Sequence, residues 1–155
     1  MMKRREFIPL LGGAAAWPLA AHAQQGDHVR RIVVLTSGDE NDPVIKRNLS
    51  AFTQALASLG WTDGRNVRLD LRGGRDDDNR IRALAQELVH LQPDIIVTGA
   101  IPATVAVQRE TRTIPIVFTN VGDPVVSGIV PRLNQPGGNV TGFANLGSLA
   151  GRQVA

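Results

Sequence analysis

The feature that most constrains the fold is an alternation of short β-branched runs with longer amphipathic stretches, which starts at Arg31. Ile32-Val33-Val34-Leu35 is apolar throughout, as expected of a strand that is buried on both faces of a parallel sheet. The following stretch repeats apolar residues at helical spacing, and the strand-then-helix order recurs along the chain. With right-handed crossovers, this order predicts an α/β fold with a doubly wound open parallel sheet.

Capping residues, prolines and glycines predict where the individual helices begin and end. The first helix begins near Pro43 and ends before Gly60, which is placed as a left-handed cap. The second helix is capped by one residue of Asp76-Asp77-Asp78 and stops before Pro93, and Pro102 begins the third. A further short helix is predicted over residues 125–133. The predicted strands are residues 32–35, 66–72, 94–97, 114–118 and 139–142.

The first 23 residues have the three parts of a secretory signal. Lys3-Arg4-Arg5 supplies the charged start, an apolar middle follows, and Ala21-His22-Ala23 is a small-residue cleavage site ahead of Gln24. The adjacent arginines followed by Phe7 are typical of a twin-arginine signal, the alternative being an ordinary Sec signal. An uncleaved anchor is disfavoured because the apolar stretch is shorter than the roughly 20 residues that span a bilayer. We expect an exported, periplasmic protein that begins near Gln24.

Composition narrows the classes of partner and chemistry. The absence of cysteine excludes disulfides, thiolate metal sites, a cysteine nucleophile and a lipid-anchor cysteine. Most of the net charge of +3 belongs to the signal, and the remaining arginines alternate with acids, so no basic face for nucleic acid is predicted. About 130 residues remain after cleavage, enough for one domain with a core. Residues 24–30 are predicted to be a linker and residues 31–143 a single lobe.

In a doubly wound sheet, ligands bind beyond the carboxyl ends of the strands, where strand order reverses. Three predicted strand ends carry hydroxyls, amides and glycines, and the second of them opens a helix whose free N–H groups suit an anion. A small anionic or zwitterionic ligand fits such a site. For each residue the competing interpretation is a cap or turn residue without contact to a ligand. The candidate ligand-binding residues are Thr36, Ser37, Thr98, Gly99, Ala100, Thr119, Asn120 and Asp123.

Several motifs in order along residues 1–149 resemble the ABC-transporter substrate-binding family that is related to receptors for tryptophan and other aromatic amino acids. Besides the signal, with Arg4-Arg5-Glu6-Phe7-Ile8 and the segment of residues 11–20, they are Leu59-Gly60-Trp61, Gly64-Arg65-Asn66-Val67, Thr113-Ile114-Pro115-Ile116-Val117-Phe118, Asp123-Pro124 and Pro136-Gly137-Gly138-Asn139-Val140-Thr141-Gly142-Phe143.

The resemblance implies a type I periplasmic-binding-protein fold, in which two lobes close on a solute, and it implies no catalysis. This chain would supply the first lobe, with residues 144–155 starting the crossover to a second one. Asp123 would meet an amino group, while Ser37 and the N–H groups near residues 100–103 would meet a carboxylate. The implied partners are a small solute of the amino-acid class and a permease with its ATPase in the inner membrane. No cofactor or metal is expected.

Other functions remain open at this stage. An exported enzyme of the same architecture is one, although no glycine-rich phosphate loop and no nucleophile elbow is present. A non-functional fragment is another, as is a dimer through the face that a second lobe would cover. Repressor sensor domains and receiver domains share the architecture but work in the cytoplasm. His28 and His90 are isolated, so neither is interpreted as a catalytic base or a metal ligand. Asp76-Asp77-Asp78 lacks the spacing of a calcium loop. Trp61 and Phe143 are interpreted as packing residues rather than as groups that stack on a ligand.

Overall fold

The computed structural model describes residues 28–145. The predicted signal, most of the predicted linker and the last ten residues lie outside this range. The strands are β1 (Arg30–Thr36), β2 (Val67–Gly73), β3 (Ile95–Gly99), β4 (Ile116–Val121) and β5 (Val140–Ala144). The helices are α1 (Pro43–Ser58), α2 (Asp78–His90) and α3 (Ile101–Glu110). In residues 28–145 no helix is long and apolar enough to cross a membrane.

All five strands form one parallel sheet in the order β2-β1-β3-β4-β5, which confirms the predicted doubly wound α/β architecture. The chain moves outward from β1 to β2 and then back across the sheet to β3, β4 and β5. Right-handed crossovers therefore place α1 on one face of the sheet and α2 and α3 on the other. Strand order reverses between β1 and β3.

The core lies between the sheet and the α2–α3 face. Alternate strand residues point into it, and each is at most 3% exposed: Val33, Leu35, Ile96, Ile116 and Phe118. Helix α2 contributes Ile81, Ala85 and Leu88, and α3 contributes Ala103, Ala106 and Val107. The α1 face is less well covered: α1 has no buried residue, and Val34 and Val97 on the sheet are only half-buried. β1 is therefore buried mainly on one face, not equally on both.

Helix α1 confirms its predicted start and cap. The Asp42 carboxylate accepts a hydrogen bond from the Val44 N–H at 2.7 Å, Pro43 occupies the first turn, and Gly60 has the left-handed φ of 88°. Leu59 lies just past the end of this helix and is 75% exposed.

The helix predicted over residues 125–133 is wrong. Asp123 caps a single turn through the N–H groups of Val125 and Val126, but Gly128 then adopts a left-handed φ of 70°. The N–H groups of Ile129 and Val130 turn back to the Pro124 carbonyl, which closes the segment into a compact turn. This conformation buries Ile129 and Val130 against the core, to 4% and 3% exposure. The burial of these two β-branched side chains therefore favours the compact turn over the predicted helix.

Strand β4 extends three residues beyond its predicted end and contains a β-bulge. Phe118 pairs with Gly142 and Val121 with Ala144, so β4 has one more residue between these pairs than β5 has. Asn120 takes up the extra length with a φ of 55°. Thr119 and Asn120, predicted to follow the strand, therefore belong to the bulge within it.

Gly142 is required by its contact with β4. A Cβ atom at this position would lie 2.2 Å from the Phe118 carbonyl oxygen and 2.6 Å from the Phe118 ring. We expect Gly142→Ala to lower the free energy of unfolding by about 1–3 kcal/mol, as overpacking does. Thr141→Ala, an exposed neighbour in the same strand, should change it by less than about 0.5 kcal/mol. Urea denaturation of both variants measures the difference, and equal midpoints would contradict the close approach.

The Asp94 carboxylate, just before β3, bonds to residues at the start of β1. Asp94 Oδ2 accepts from the Arg31 N–H at 2.7 Å, and Oδ1 accepts from Arg30 Nη1 at 2.8 Å, with His28 Nε2 at 3.4 Å. The backbone hydrogen bond first, and the Arg30 side chain second, hold the pKa of Asp94 below its ordinary value of 3.8.

Because of its lowered pKa, Asp94 should make the free energy of unfolding depend on pH in the acid range. Because its folded pKa is lowered, its stabilisation is present above the unfolded pKa and is lost as pH falls through the folded pKa. We expect Asp94→Asn to lower the melting temperature at neutral pH, and this deficit to shrink below a pH of about 4. Arg30→Met should retain part of this pH dependence of stability, because the Arg31 N–H still donates to the Asp94 carboxylate. A deficit for Asp94→Asn that is the same from pH 7 to pH 2.5 would refute this role.

Candidate ligand-binding site

The parallel register brings the three predicted strand ends together. Thr36 lies opposite Gly99, and Gly99 lies opposite Thr119, so these residues form a row across β1, β3 and β4 at the carboxyl edge. We call Thr36, Gly99 and Thr119 the edge row. It spans the position where strand order reverses, between β1 and β3. Its members are half-buried, so the row is accessible in residues 28–145.

Glycine in the middle of the edge row keeps the Thr36 hydroxyl accessible. A Cβ at position 99 would lie 3.3 Å from Thr36 Oγ1. The Thr119 hydroxyl donates to the Thr98 carbonyl at 3.1 Å, which ties β4 to β3 at this edge.

Ser37, next after the edge row, is 7% exposed and points inward. Its N–H and its hydroxyl both donate to the Gly99 carbonyl, at 3.3 and 3.4 Å, and its own carbonyl accepts from the Asp76 N–H at 2.6 Å. Ser37 thus joins the loop after β1 to β3 and to the loop after β2. The hydroxyl contact is long for a hydrogen bond of this kind.

Thr98 faces away from the edge. Its side chain is fully buried on the α3 side of the sheet, and its hydroxyl lies 2.8 Å from the Thr104 hydroxyl. Thr98 therefore contacts the first turn of α3 through Thr104 and does not reach the edge row.

Ala100 begins α3 in an unusual conformation. Its φ of 74° and ψ of 166° lie in a region used almost solely by glycine, and its N–H donates to the Thr119 carbonyl at 3.0 Å. Asp42 and Asp77 cap α1 and α2, but no side chain caps α3. Pro102 has no N–H and the Ala100 N–H is taken by Thr119, so the N–H groups left without a side-chain cap at this end of the helix dipole are those of the exposed Ile101 and the buried Ala103.

The remaining candidates lie in and after the bulge. Asn120 is exposed, and its Oδ1 accepts from Asn145 Nδ2 at 2.7 Å. Asp123 is half-buried, and its Oδ1 accepts from the N–H groups of Val125 and Val126, both at 3.0 Å. Only one carboxylate oxygen makes these bonds, so the second can accept from another donor. In the local structure, Asp123 acts as the cap of a turn.

Three features of this site were not predicted from the sequence. Thr104 contacts Ala100 and Thr98 from within α3, and Asn145 contacts Asn120 across 25 residues. Phe143 flanks the bulge, since its neighbours Gly142 and Ala144 pair with Phe118 and Val121, and its side chain is 74% exposed. The interpretation of Phe143 as a buried packing residue is therefore wrong. For Thr104, its position four residues after Ala100 was a usable signal.

Charged residues concentrate elsewhere. A concavity at the amino edge of the sheet, opposite the edge row, is lined by His28, Arg31, Asp63, Asp70 and Asp94 among others. Two of these acids pair with arginines, Asp94 with Arg30 and Asp70 with Arg31, and the Asp63 carboxylate accepts from the Leu69 N–H. Within residues 28–145, no group of three or more histidine, aspartate or glutamate side chains could hold a metal ion, and Asp76-Asp77-Asp78 forms none.

Comparison with known proteins matches residues 32–154 to the family described as ABC transporter substrate binding protein. The chain belongs to this family. Among its relatives, a tyrosine-binding protein of Clostridioides difficile strain R20291 is 33% identical over 103 residues, which are 66% of this chain and 30% of that protein. The chain spans less than a third of the length of this relative.

Solved structures agree with this assignment. A conserved domain protein from Vibrio cholerae superposes with a TM-score of 0.71 at 31% identity, covering 76% of this chain and 39% of that one. An ABC domain in complex with L-Trp from Streptococcus pneumonia superposes with a TM-score of 0.68 at 27% identity, covering 74% of this chain and 38% of that one. This chain therefore spans about two fifths of the length of these structures.

Proposed function

We propose that this chain supplies one lobe of a receptor that binds a small amino-acid-like or carboxylate solute for an ABC import system. The observation that carries the proposal is the edge row, with the uncapped start of α3 beside it, at the strand-order reversal of a chain of this family. In this proposal the receptor delivers its solute to a permease and an ATPase in the inner membrane. The lobe itself carries out no chemical reaction.

The solute class follows from the groups at the edge. The N–H groups at the start of α3 favour a carboxylate, and the Asp123 oxygen that does not cap the turn favours an ammonium group. In this proposal the Ser37 hydroxyl, which is 7% exposed, would have to leave its long bond to the Gly99 carbonyl in order to donate to a carboxylate oxygen. An α-amino acid carries both groups. The L-Trp complex and the tyrosine-binding relative support this class of solute.

The edge row would form one wall of a cleft. In a receptor of the relatives' length, the facing wall would come from a second lobe, and closure around the solute would remove both from water. The Thr36 and Thr119 hydroxyls would then line the floor, with Asn120 and its partner Asn145 at the rim. In this proposal the Phe143 ring, which is exposed next to the bulge, contacts an apolar part of the solute.

A thermal-shift panel of amino acids and simple carboxylates tests this function. A solute present at 100 times its dissociation constant should stabilise the fold by about 2.7 kcal/mol. A panel of the common amino acids and small organic acids without a shift would refute solute binding by this chain. Chemical turnover of any member would favour an exported enzyme instead.

The role of Asp123 has a separate test. Asp123→Asn keeps an oxygen that can cap the turn but removes the charge, so the melting temperature should hold while affinity for amino acids falls about tenfold or more. Asp63→Asn is the matched control, because Asp63 also accepts from a backbone N–H, that of Leu69, but lies at the amino edge. Equal affinities of Asp123→Asn and the wild type would exclude contact with the amino group.

We also propose export to the periplasm through a twin-arginine signal over residues 1–23. Protein recovered from the periplasm of its host should then have an intact mass that starts at Gln24. Replacing Arg4 and Arg5 together by lysine keeps the charge but removes the guanidinium pair. Export should stop if the pair is read by the twin-arginine translocase, and continue if only charge matters. A mass that starts at Met1 would refute cleavage.

A further inference from the structure

The backbone at Ala100 is held in a conformation that an alanine does not adopt unaided. With φ at 74° and ψ at 166°, its Cβ is crowded by its own backbone, and such conformations persist only where surrounding contacts enforce them. The residue lies directly after Gly99 of the edge row and begins α3. Whatever enforces this conformation therefore also sets where the start of α3 points.

Both peptide groups of Ala100 are tied down. Its N–H donates to the Thr119 carbonyl at 3.0 Å, and its carbonyl accepts from the Thr104 N–H at 3.3 Å and from the Thr104 hydroxyl at 2.8 Å. The hydroxyl bond is the shorter of the two contacts from Thr104. Thr104 is fully buried, so water does not compete for that bond.

The direction of the buried hydroxyl chain can be deduced. A carbonyl oxygen only accepts, so the single hydroxyl proton of Thr104 goes to Ala100. The 2.8 Å contact between the Thr98 and Thr104 hydroxyls must then be donated by Thr98. The chain therefore runs from Thr98 to Thr104 to the Ala100 carbonyl. Every proton in it is used, and it ends on the strained residue.

We propose that Thr104 is the positioning residue of the site: its hydroxyl holds Ala100 in the left-handed conformation and so directs the start of α3 towards the edge row. Thr104 has no exposed surface and contacts no solute, so its effect passes through Ala100. The expected effect on affinity rests on the proposed function, whereas the effect on the conformation of Ala100 does not.

A double-mutant cycle tests the conformational claim. Ala100→Gly relieves the strain and should raise the melting temperature of the 155-residue chain by roughly 2–8 °C. In the T104V background Ala100 is free to relax, so the gain from Ala100→Gly should largely disappear. If Thr104 only contributes a buried hydrogen bond, the gain will be the same in both backgrounds, and the proposal is overturned. Absence of any gain in the wild type also overturns it.

Two further variants sharpen the cycle. T104S restores the hydroxyl and should restore the gain. T53V is the matched control, because the Thr53 hydroxyl makes the same bond to a carbonyl four residues earlier, that of Leu49 at 2.8 Å, but in α1. It should leave the gain intact. Should T104V fail to fold, T104C takes its place, since a thiol of similar size donates only weakly and this chain has no other cysteine.

Affinity is measured on the amino acid that gives the largest shift in the thermal panel. T104V should weaken the affinity for this amino acid about tenfold or more, because the start of α3 is misplaced. T53V should leave the affinity unchanged. Unchanged affinity in T104V would overturn the positioning role in binding. If the wild type binds nothing in the panel, the proposed function fails, and the cycle alone still decides whether Thr104 holds Ala100.

Discussion

The site depends on the register with which β1, β3 and β4 pair. Leu35, Thr98 and Phe118 lie side by side across the three strands, and all three are buried on the α2–α3 side. Because side chains alternate along a strand, the next residue of each strand belongs to the other face. That next set is the edge row. A one-residue slip would bury the row and expose the core, so core packing itself fixes which groups are presented.

The two faces of the sheet carry unequal shares of the stability. α2 and α3 pack on each other and on the strands, whereas α1 buries none of its residues. Among residues 28–145, local opening is therefore expected to be easiest at α1 and at the loop that follows β1. That loop is nevertheless fixed at the edge, because Ser37 bonds to Gly99 and to Asp76, and the Glu40 carboxylate accepts from the Gly73 N–H at 2.7 Å. The site edge is thus tied together by bonds between loops.

The sequence was most informative where local signals agree with tertiary packing. β1, β3 and α2 carry their own apolar patterns and lie close to the predicted positions, and the convergence of three strand ends followed from the topology. The orientation of Thr98 could not be predicted, since a continuously apolar run does not reveal which face each residue takes. The bulge at Asn120 and the turn that buries Ile129 depend on contacts with distant residues. Propensity alone does not encode such contacts.

Most polar side chains at the edge, and those buried beneath it, already form hydrogen bonds within the protein. The Thr98, Thr104 and Thr119 hydroxyls and one oxygen of Asp123 all bond within the lobe. The groups left for a solute at this edge would therefore include the uncapped N–H groups at the start of α3 and the second carboxylate oxygen of Asp123. Backbone N–H donors recognise a carboxylate and the Asp123 oxygen recognises an ammonium group, and neither contact distinguishes one amino-acid side chain from another. Discrimination among amino acids would then have to come from apolar contacts such as Phe143 and from whatever closes over the row.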